Sequence, residues 1–177
     1  MGFLKKVVVL AIVLLVVWLV FFKGENPLAG SGFDGLKKTE SKFLTGNAIT
    51  PSTETELANF ESALQEFKKT NSDSTVDEWI GIKLKEAEVS RNFFAAQNYI
   101  RMIGFENRSC DEGNPLGMAI KNLNGAKSKS AETLNAISAF EKNHPLVEIE
   151  LVKNHKETMQ NLQNSAQMTI EELQAYC

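Results

Sequence analysis

STVDEWIGIKLKEAEVSRNFFAAQNYIRMIG, residues 74–104, is the longest stretch of the chain in which apolar side chains recur at helical spacing. They repeat every three or four residues and form two successive stripes: Val76, Ile80, Leu84 and Ala87, then Val89, Phe93, Ala96, Ile100 and Ile103. This spacing predicts one long amphipathic helix. Because its apolar surface is wide, we expect it to contact more than one neighbouring helix.

Two helices of similar length are predicted after it. Asn114 and Pro115 provide a cap and a first-turn proline for a helix over residues 115–143, whose apolar positions are Leu116, Ile120, Leu123, Ala131, Leu134 and Ile137. Pro145 ends that helix and opens another over residues 145–174. The second one keeps a period near 3.5 through Ile149, Val152, Met159, Leu162, Ala166, Leu173 and Tyr176. A single long helix kinked at Pro145 is the alternative.

A shorter helix is predicted over residues 51–69, where Leu57, Phe60, Leu64 and Phe67 form a stripe. Short connections between helices favour antiparallel packing. The sequence therefore predicts an all-α fold in which residues 51–177 form an antiparallel up-and-down helical bundle of three long helices and one shorter. The near-heptad period of the last helix would also suit a coiled coil with a neighbouring chain.

The N-terminal residues 1–23 predict a transmembrane signal-anchor helix. A run without polar groups begins at Val7 and ends at Phe22, and with the preceding Phe3 and Leu4 it approaches the roughly 20 residues that cross a bilayer. Trp18 and Phe22 lie toward the far end, where aromatic rings favour the membrane interface. A cleaved signal peptide, which would release a secreted helical protein, is the alternative.

The flanking charges predict a single-pass orientation with the N-terminus cytoplasmic and the helical domain extracytoplasmic. Lys5 and Lys6 precede the span, and Lys23 directly follows it. Residues 24–50 contain five glycines and predict a flexible juxtamembrane tether. A short helix lying on anionic lipid is the alternative for part of this segment, through the apolar side chains Phe33, Leu36, Phe43 and Leu44.

The chain has two cysteines, Cys110 and Cys177. In an up-and-down bundle the second and fourth helices run in the same direction, so the loop with Cys110 and the residue that follows the last helix should meet at one end. We therefore predict a disulfide in an oxidising compartment. Two free thiols, or an interchain bond through Cys177, are the alternatives.

The rest of the sequence predicts no catalytic, metal or cofactor site. Asn107 begins an Asn-Arg-Ser tripeptide that matches the N-glycan acceptor pattern. His144 and His155 are the two histidines. His155 has Val152 three residues before it and so does not fit the Glu-x-x-His pattern of helical di-metal sites, and His144 precedes Pro145 in a turn, where a solvated histidine is expected. A serine elbow, a P-loop and a dinucleotide-binding glycine pattern are also missing. The chain is expected not to be an enzyme.

Charge narrows the range of partners. Residues 24–177 carry 16 basic and 22 acidic side chains, a net charge of −6, which argues against nucleic acid. We expect a membrane-anchored interaction or scaffold protein of the cell envelope, whose partners are the lipid bilayer and either another protein or a second copy. A membrane-tethered small-ligand-binding or sensor domain is the alternative, favoured by a cavity with convergent polar groups.

The layout of one N-terminal span followed by long helices is similar to the LemA family, and no residue motif accompanies that likeness.

Overall fold

The computed structural model describes residues 31–46, 48–103, 109–145 and 149–177, and the regular structure in these ranges is entirely helical. Five helices follow one another: α1 Ser31–Glu40, α2 Glu54–Thr70, α3 Ser74–Ile100, α4 Pro115–Asn143 and α5 Ile149–Gln174. The predicted all-α helical bundle is confirmed, with α1 added to the four helices expected from the sequence. The predicted transmembrane helix, including Val7, Trp18 and Phe22, lies outside the described residues.

Helix α3 is the centre of the bundle, because it contacts α1, α2 and α4. Trp79, near its start, packs on Phe140, near the end of α4, with ring centroids 4.9 Å apart. Further along, Glu88 of α3 lies 3.3 Å from Lys129 of α4. These pairs show that α3 and α4 run antiparallel, as predicted.

Helices α4 and α5 also run antiparallel as separate helices, so the alternative of one helix kinked at Pro145 is wrong. His144 has φ −127° and ψ 65°, outside the helical region, and the chain turns there. Beyond the turn, Lys127 of α4 donates a hydrogen bond to Gln167 of α5 at 2.6 Å. Helix α5 therefore returns along α4 and reaches the same end of the bundle as the last turn of α3.

Capping side chains explain where α2 and α3 begin. The oxygen Oγ1 of Thr53 accepts a hydrogen bond from Glu56 N, so α2 starts at Glu54 and not at the predicted residue 51. Asp73 Oδ1 accepts from two backbone N–H groups of the first turn of α3. In each case a side-chain oxygen satisfies backbone donors that the first helical turn leaves free.

The segment predicted as a flexible tether differs from the structure over residues 31–46. Residues 31–40 form α1, and its side chains Phe33 and Leu36 are only 2% and 1% exposed. Their apolar face is therefore covered by protein, which also excludes the alternative of a helix lying on lipid through these two residues. A Cβ on Gly35 would come within 2.8 Å of the Phe67 ring, so glycine here allows α1 to approach α2 closely.

The core is formed mainly by the predicted stripes. Among their members, those that the structure buries are Leu57, Phe60, Leu64, Val76, Ile80, Ala87, Val89, Ala96, Leu116, Leu123, Ile137, Val152, Met159 and Ala166. Tyr176 is an exception, with 58% of its surface exposed. Three of the buried residues come from the near-heptad stripe of α5, so that stripe is used inside this bundle.

Candidate functional site

Three ionisable side chains lie inside the bundle, where apolar ones are the rule. Lys83 and Glu86 of α3 are 2% and 0% exposed, and His155 of α5 is 3% exposed. Removing charges from water costs several kcal/mol each unless they are paired. We call these three residues, together with Glu40 at the end of α1, the buried ionic cluster.

The ammonium of Lys83 connects three parts of the chain. Its Nζ donates a hydrogen bond to the carbonyl oxygen of Ile49 at 2.9 Å. It also lies 3.2 Å from Oε1 of Glu40 and 3.6 Å from Oε2 of Glu86. The ring of Phe60 is 5.8 Å away, within the range of a cation–π contact. Lys83 thus holds α1 and the segment before α2 against α3.

Glu86 and His155 link α3 to α5. The carboxylate oxygen Oε1 of Glu86 lies 2.5 Å from Nδ1 of His155, a hydrogen bond that depends on which ring nitrogen carries the proton. The ring of Trp79 meets the imidazole edge-on, with centroids 4.9 Å apart. The imidazole is therefore fixed on one side by a carboxylate and on another by an aromatic ring.

Two carboxylate oxygens of the cluster lack a hydrogen bond. Oε1 of Glu40 and Oε2 of Glu86 are buried, and neither accepts a hydrogen bond from the described residues. Both lie within 4 Å of Lys83, so the charges attract although neither contact has the geometry of a hydrogen bond. The carboxylates of the buried ionic cluster therefore have a charged partner but lack some hydrogen bonds. A missing hydrogen bond costs free energy where the dielectric constant is low.

An open groove lies next to this cluster, between α3, α5 and the segment before α2. Its volume is about 360 Å³. We call it the α3–α5 groove, and it is lined by Ala48, Ile49, Thr50, Pro51, Ser52, Ser90, Phe93, Phe94, Gln97, Thr158 and Leu162. None of these lining residues is charged. The volume lies within the range of small-molecule sites, and the groove is open to solvent.

The groove and the cluster are adjacent parts of the same helices. Ser90 follows Glu86 by one helical turn, and Thr158 follows His155 by one turn. Ser90 Oγ and Thr50 Oγ1 are 2.8 Å apart and share a hydrogen bond between α3 and the segment before α2. Ile49 belongs to both, since it lines the groove and its carbonyl accepts the bond from Lys83.

Sequence reasoning missed this site because the decisive residues are polar. His155 falls in the gap of the α5 stripe, three residues after Val152 and four before Met159. Lys83 and Glu86 likewise continue the face of the buried Trp79 at spacings of four and three. A polar side chain at a core position of a helical stripe was the available signal.

The predicted cysteine pair is brought together. The Cα atoms of Cys110 and Cys177 are 5.6 Å apart, and their sulfurs lie within bonding distance. A Cα separation between roughly 4.4 and 6.8 Å is usual for disulfides. Gly117 lets the Cys110 loop lie against the first turn of α4, because a Cβ there would be 2.7 Å from the Cys110 carbonyl oxygen and closer still to that of Asp111.

The remaining predicted sites are distributed as follows. Asn107 lies outside the described residues. His144 lies at the turn between α4 and α5, and its Nε2 is 2.8 Å from Oε2 of Glu78. Within residues 31–46, 48–103, 109–145 and 149–177 there is no group of three potential metal ligands. In the same ranges, every helix is too short or too polar to cross a bilayer.

Comparison with protein-family models, with curated proteins and with solved structures finds no significant match for this chain.

Proposed function

We propose that this protein is a membrane-anchored, extracytoplasmic helical domain that binds a small, uncharged, amphipathic molecule in the α3–α5 groove. The groove is the observation that carries the proposal. Its volume of about 360 Å³ lies within the roughly 300–1,000 Å³ of small-molecule sites. Six of its eleven lining residues are apolar, and the other five carry hydroxyl or amide groups that can orient a ligand.

The lining determines which ligands fit. Phe93 and Phe94 offer aromatic surface, while Thr50, Ser90 and Gln97 offer hydroxyl and amide groups. Because these lining groups carry no charge, a charged ligand would lose hydration without gaining a counter-charge. A ring or short chain that bears a hydroxyl or carbonyl group would satisfy both kinds of wall.

The membrane attachment rests on the sequence. The apolar run from Val7 to Phe22, extended by Phe3 and Leu4, approaches the length of a bilayer span, and the charges before it favour an extracytoplasmic domain. Proximity of Cys110 to Cys177 supports an oxidising location, since disulfides persist there.

The interaction or scaffold role expected from the sequence loses one of its supports. Val152, Met159 and Ala166 of the α5 stripe are buried in this bundle, so they are not available to a second chain. That role stays a prediction, and crosslinking in membranes that captures a stable neighbour would support it.

A fluorinated probe tests the groove. Full-length protein in lipid nanodiscs is titrated with 6-fluoro-2-naphthol, and the ¹⁹F line width and shift are compared with those in empty nanodiscs. We expect saturable binding to the protein, and at least fivefold weaker binding of the carboxylate analogue 6-fluoro-2-naphthoate. Equal binding to protein-containing and empty nanodiscs would contradict the proposal.

Two exposed neighbours on α3 provide a matched pair of variants. Gln97 lines the groove, whereas Asn98 is exposed and does not. Gln97→Trp should fill the mouth of the groove and weaken probe binding at least fivefold, while Asn98→Trp should leave it unchanged. Equal affinities for these two variants would place the probe elsewhere on the protein.

A further inference from the structure

The segment that forms one wall of the groove is attached to α3 by polar contacts. This wall consists of residues 48–52, and it contacts α3 through Ile49 and Thr50. The carbonyl of Ile49 accepts a hydrogen bond from Lys83, and the Thr50 hydroxyl shares one with Ser90. The side chain of Ile49 is 5% exposed and Pro51 is also buried, so the wall is seated in the core at these points. The shape of the groove therefore depends on whether these contacts hold.

The same ammonium contacts the end of α1. Lys83 Nζ lies 3.2 Å from Oε1 of Glu40, the last residue of that helix. The wall and α1 thus share one charged contact, the Lys83 ammonium, which is buried and cannot readily exchange its partners for water. A shift of the wall that moves Lys83 also changes its distance to Glu40.

Helix α1 is packed tightly enough to transmit such a change. Phe33 and Leu36 are buried in the main core. A Cβ on Gly32 would come within 3.0 Å of the Val76 side chain, and one on Gly35 within 2.8 Å of the Phe67 ring. Close packing of this kind leaves a helix either seated or displaced, with few intermediate positions.

We propose that Lys83 couples occupancy of the α3–α5 groove to the packing of α1, which makes the domain a sensor whose output is the helix next to the predicted anchor. This inference rests on the proposed function. A ligand that contacts Ile49, Thr50 and Pro51 immobilises the wall, and the wall in turn fixes Lys83 against Glu40. Coupling between two sites is reciprocal, so loosening α1 weakens ligand binding by the same factor.

Hydrogen exchange of α1 provides the test. Full-length protein in nanodiscs is labelled with and without saturating 6-fluoro-2-naphthol, and exchange is followed for the amides of residues 36–40. In the wild type, we expect the probe to slow their exchange at least threefold. In Lys83→Met, exchange should be faster without the probe and insensitive to it, and probe affinity should fall about tenfold.

Lys85→Met is the matched control, because Lys85 lies on the same helix but outside the buried ionic cluster. It should retain the wild-type affinity and the probe-dependent protection. If Lys83→Met does not fold, Glu40→Gln replaces it: this change keeps the shape of the side chain, removes its charge, and should reduce the probe-dependent protection by at least half.

The outcomes separate the two proposals. If the wild type binds the probe and α1 exchange does not respond, the coupling is refuted and the groove stands. The coupling is also refuted if the Lys83→Met or Glu40→Gln variant binds the probe and shows the same probe-dependent slowing of α1 exchange as the wild type. If the wild type does not bind the probe, the proposed function fails, and the coupling fails with it.

Discussion

At the scale of single residues, this bundle tolerates charge in its interior only where a partner lies close by. Lys83, Glu86 and His155 are each at most 3% exposed, yet each has an ionisable neighbour within 4 Å. Buried ion pairs are weak evidence for stability, because an apolar core of the same shape is often as stable. Their position beside the groove suggests another role, because Lys83 holds the wall of the groove through the carbonyl of Ile49.

Two glycines make a matched test of close packing. Gly117→Ala would bring a Cβ against the backbone of Cys110 and Asp111, atoms that cannot rotate away. We expect a loss of about 1–3 kcal/mol in the free energy of unfolding, measured by urea denaturation. A Cβ on Gly81 of α3 would meet no neighbouring atom within 4 Å, so Gly81→Ala should stabilise by up to about 1 kcal/mol. Equal effects of the two substitutions would contradict this packing.

Lys129 provides a test of pH dependence. A hydrogen bond to Glu132 and then the interaction with Glu88 raise the pKa of Lys129 above its ordinary value of 10.5. A raised pKa in the folded state stabilises the fold below the unfolded pKa and stops doing so above the folded one. The stability difference between wild type and Lys129→Met should therefore be largest below pH 10.5 and shrink above it. Added salt should reduce the difference wherever Lys129 and its glutamate partners are charged, because 39% of the Lys129 side chain is exposed to solvent.

At the scale of helices, the structure distinguishes two predicted starts that look alike in sequence. Asp73 caps α3, where its Oδ1 accepts from Thr75 N at 2.9 Å and from Val76 N at 3.3 Å. Asn114 precedes α4, but its side chain makes no capping hydrogen bond. Residue type alone therefore does not tell whether a cap is formed.

Substitution of each cap by alanine measures the difference. Asp73→Ala removes an acceptor for two backbone donors and should cost about 1 kcal/mol in the free energy of unfolding. Asn114→Ala removes no such bond and should cost only a few tenths of that. Thermal and urea denaturation of both variants check this expectation, and it fails if Asn114→Ala is the more destabilising change.

Helices α2 to α5 were predictable because their apolar stripes hold a steady period, and the core uses most of those positions. A helix in the segment of α1 was considered only as one lying on lipid, and its place in the core was not predictable, because Gly32 and Gly35 reduce helix propensity in isolation. Their value appears only in three dimensions, where α1 meets Val76 and Phe67. The buried ionic cluster was not predicted for a related reason. In sequence, Lys83 and Glu86 are typical of a solvated helix face, and their burial follows only from the helices that cover them.

At the scale of the whole molecule, the chain is closed at one end by the pairing of Cys110 and Cys177, which are 67 residues apart in sequence. The other end holds the turn between α2 and α3, the turn between α4 and α5, and the start of α1. The pairing therefore joins the loop before α4 to the end of α5, at the end of the bundle away from the start of α1.

Loss of the pairing should be visible in mobility and in stability. On a non-reducing gel the wild type should run ahead of Cys177→Ser, and reduction should remove the difference. In the chain-entropy account of disulfides, a closed loop of this length contributes about 4 kcal/mol to the free energy of unfolding. Cys110→Ser should behave like Cys177→Ser, since both lose the same bond. A reducible dimer band in the wild type would instead indicate an interchain bond.

Because α1 is packed in the core, it also limits how far the domain can lie from the membrane. With residues 7–22 in a bilayer, as the sequence predicts, residues 23–30 connect the membrane to α1, and eight residues at full extension span at most about 29 Å. Adding the rise from the start of α3 to Gln97 keeps the groove within roughly 65 Å of the lipid surface. A molecule that partitions into membranes is concentrated in the lipid, so a bilayer this close would act as the reservoir from which the groove fills.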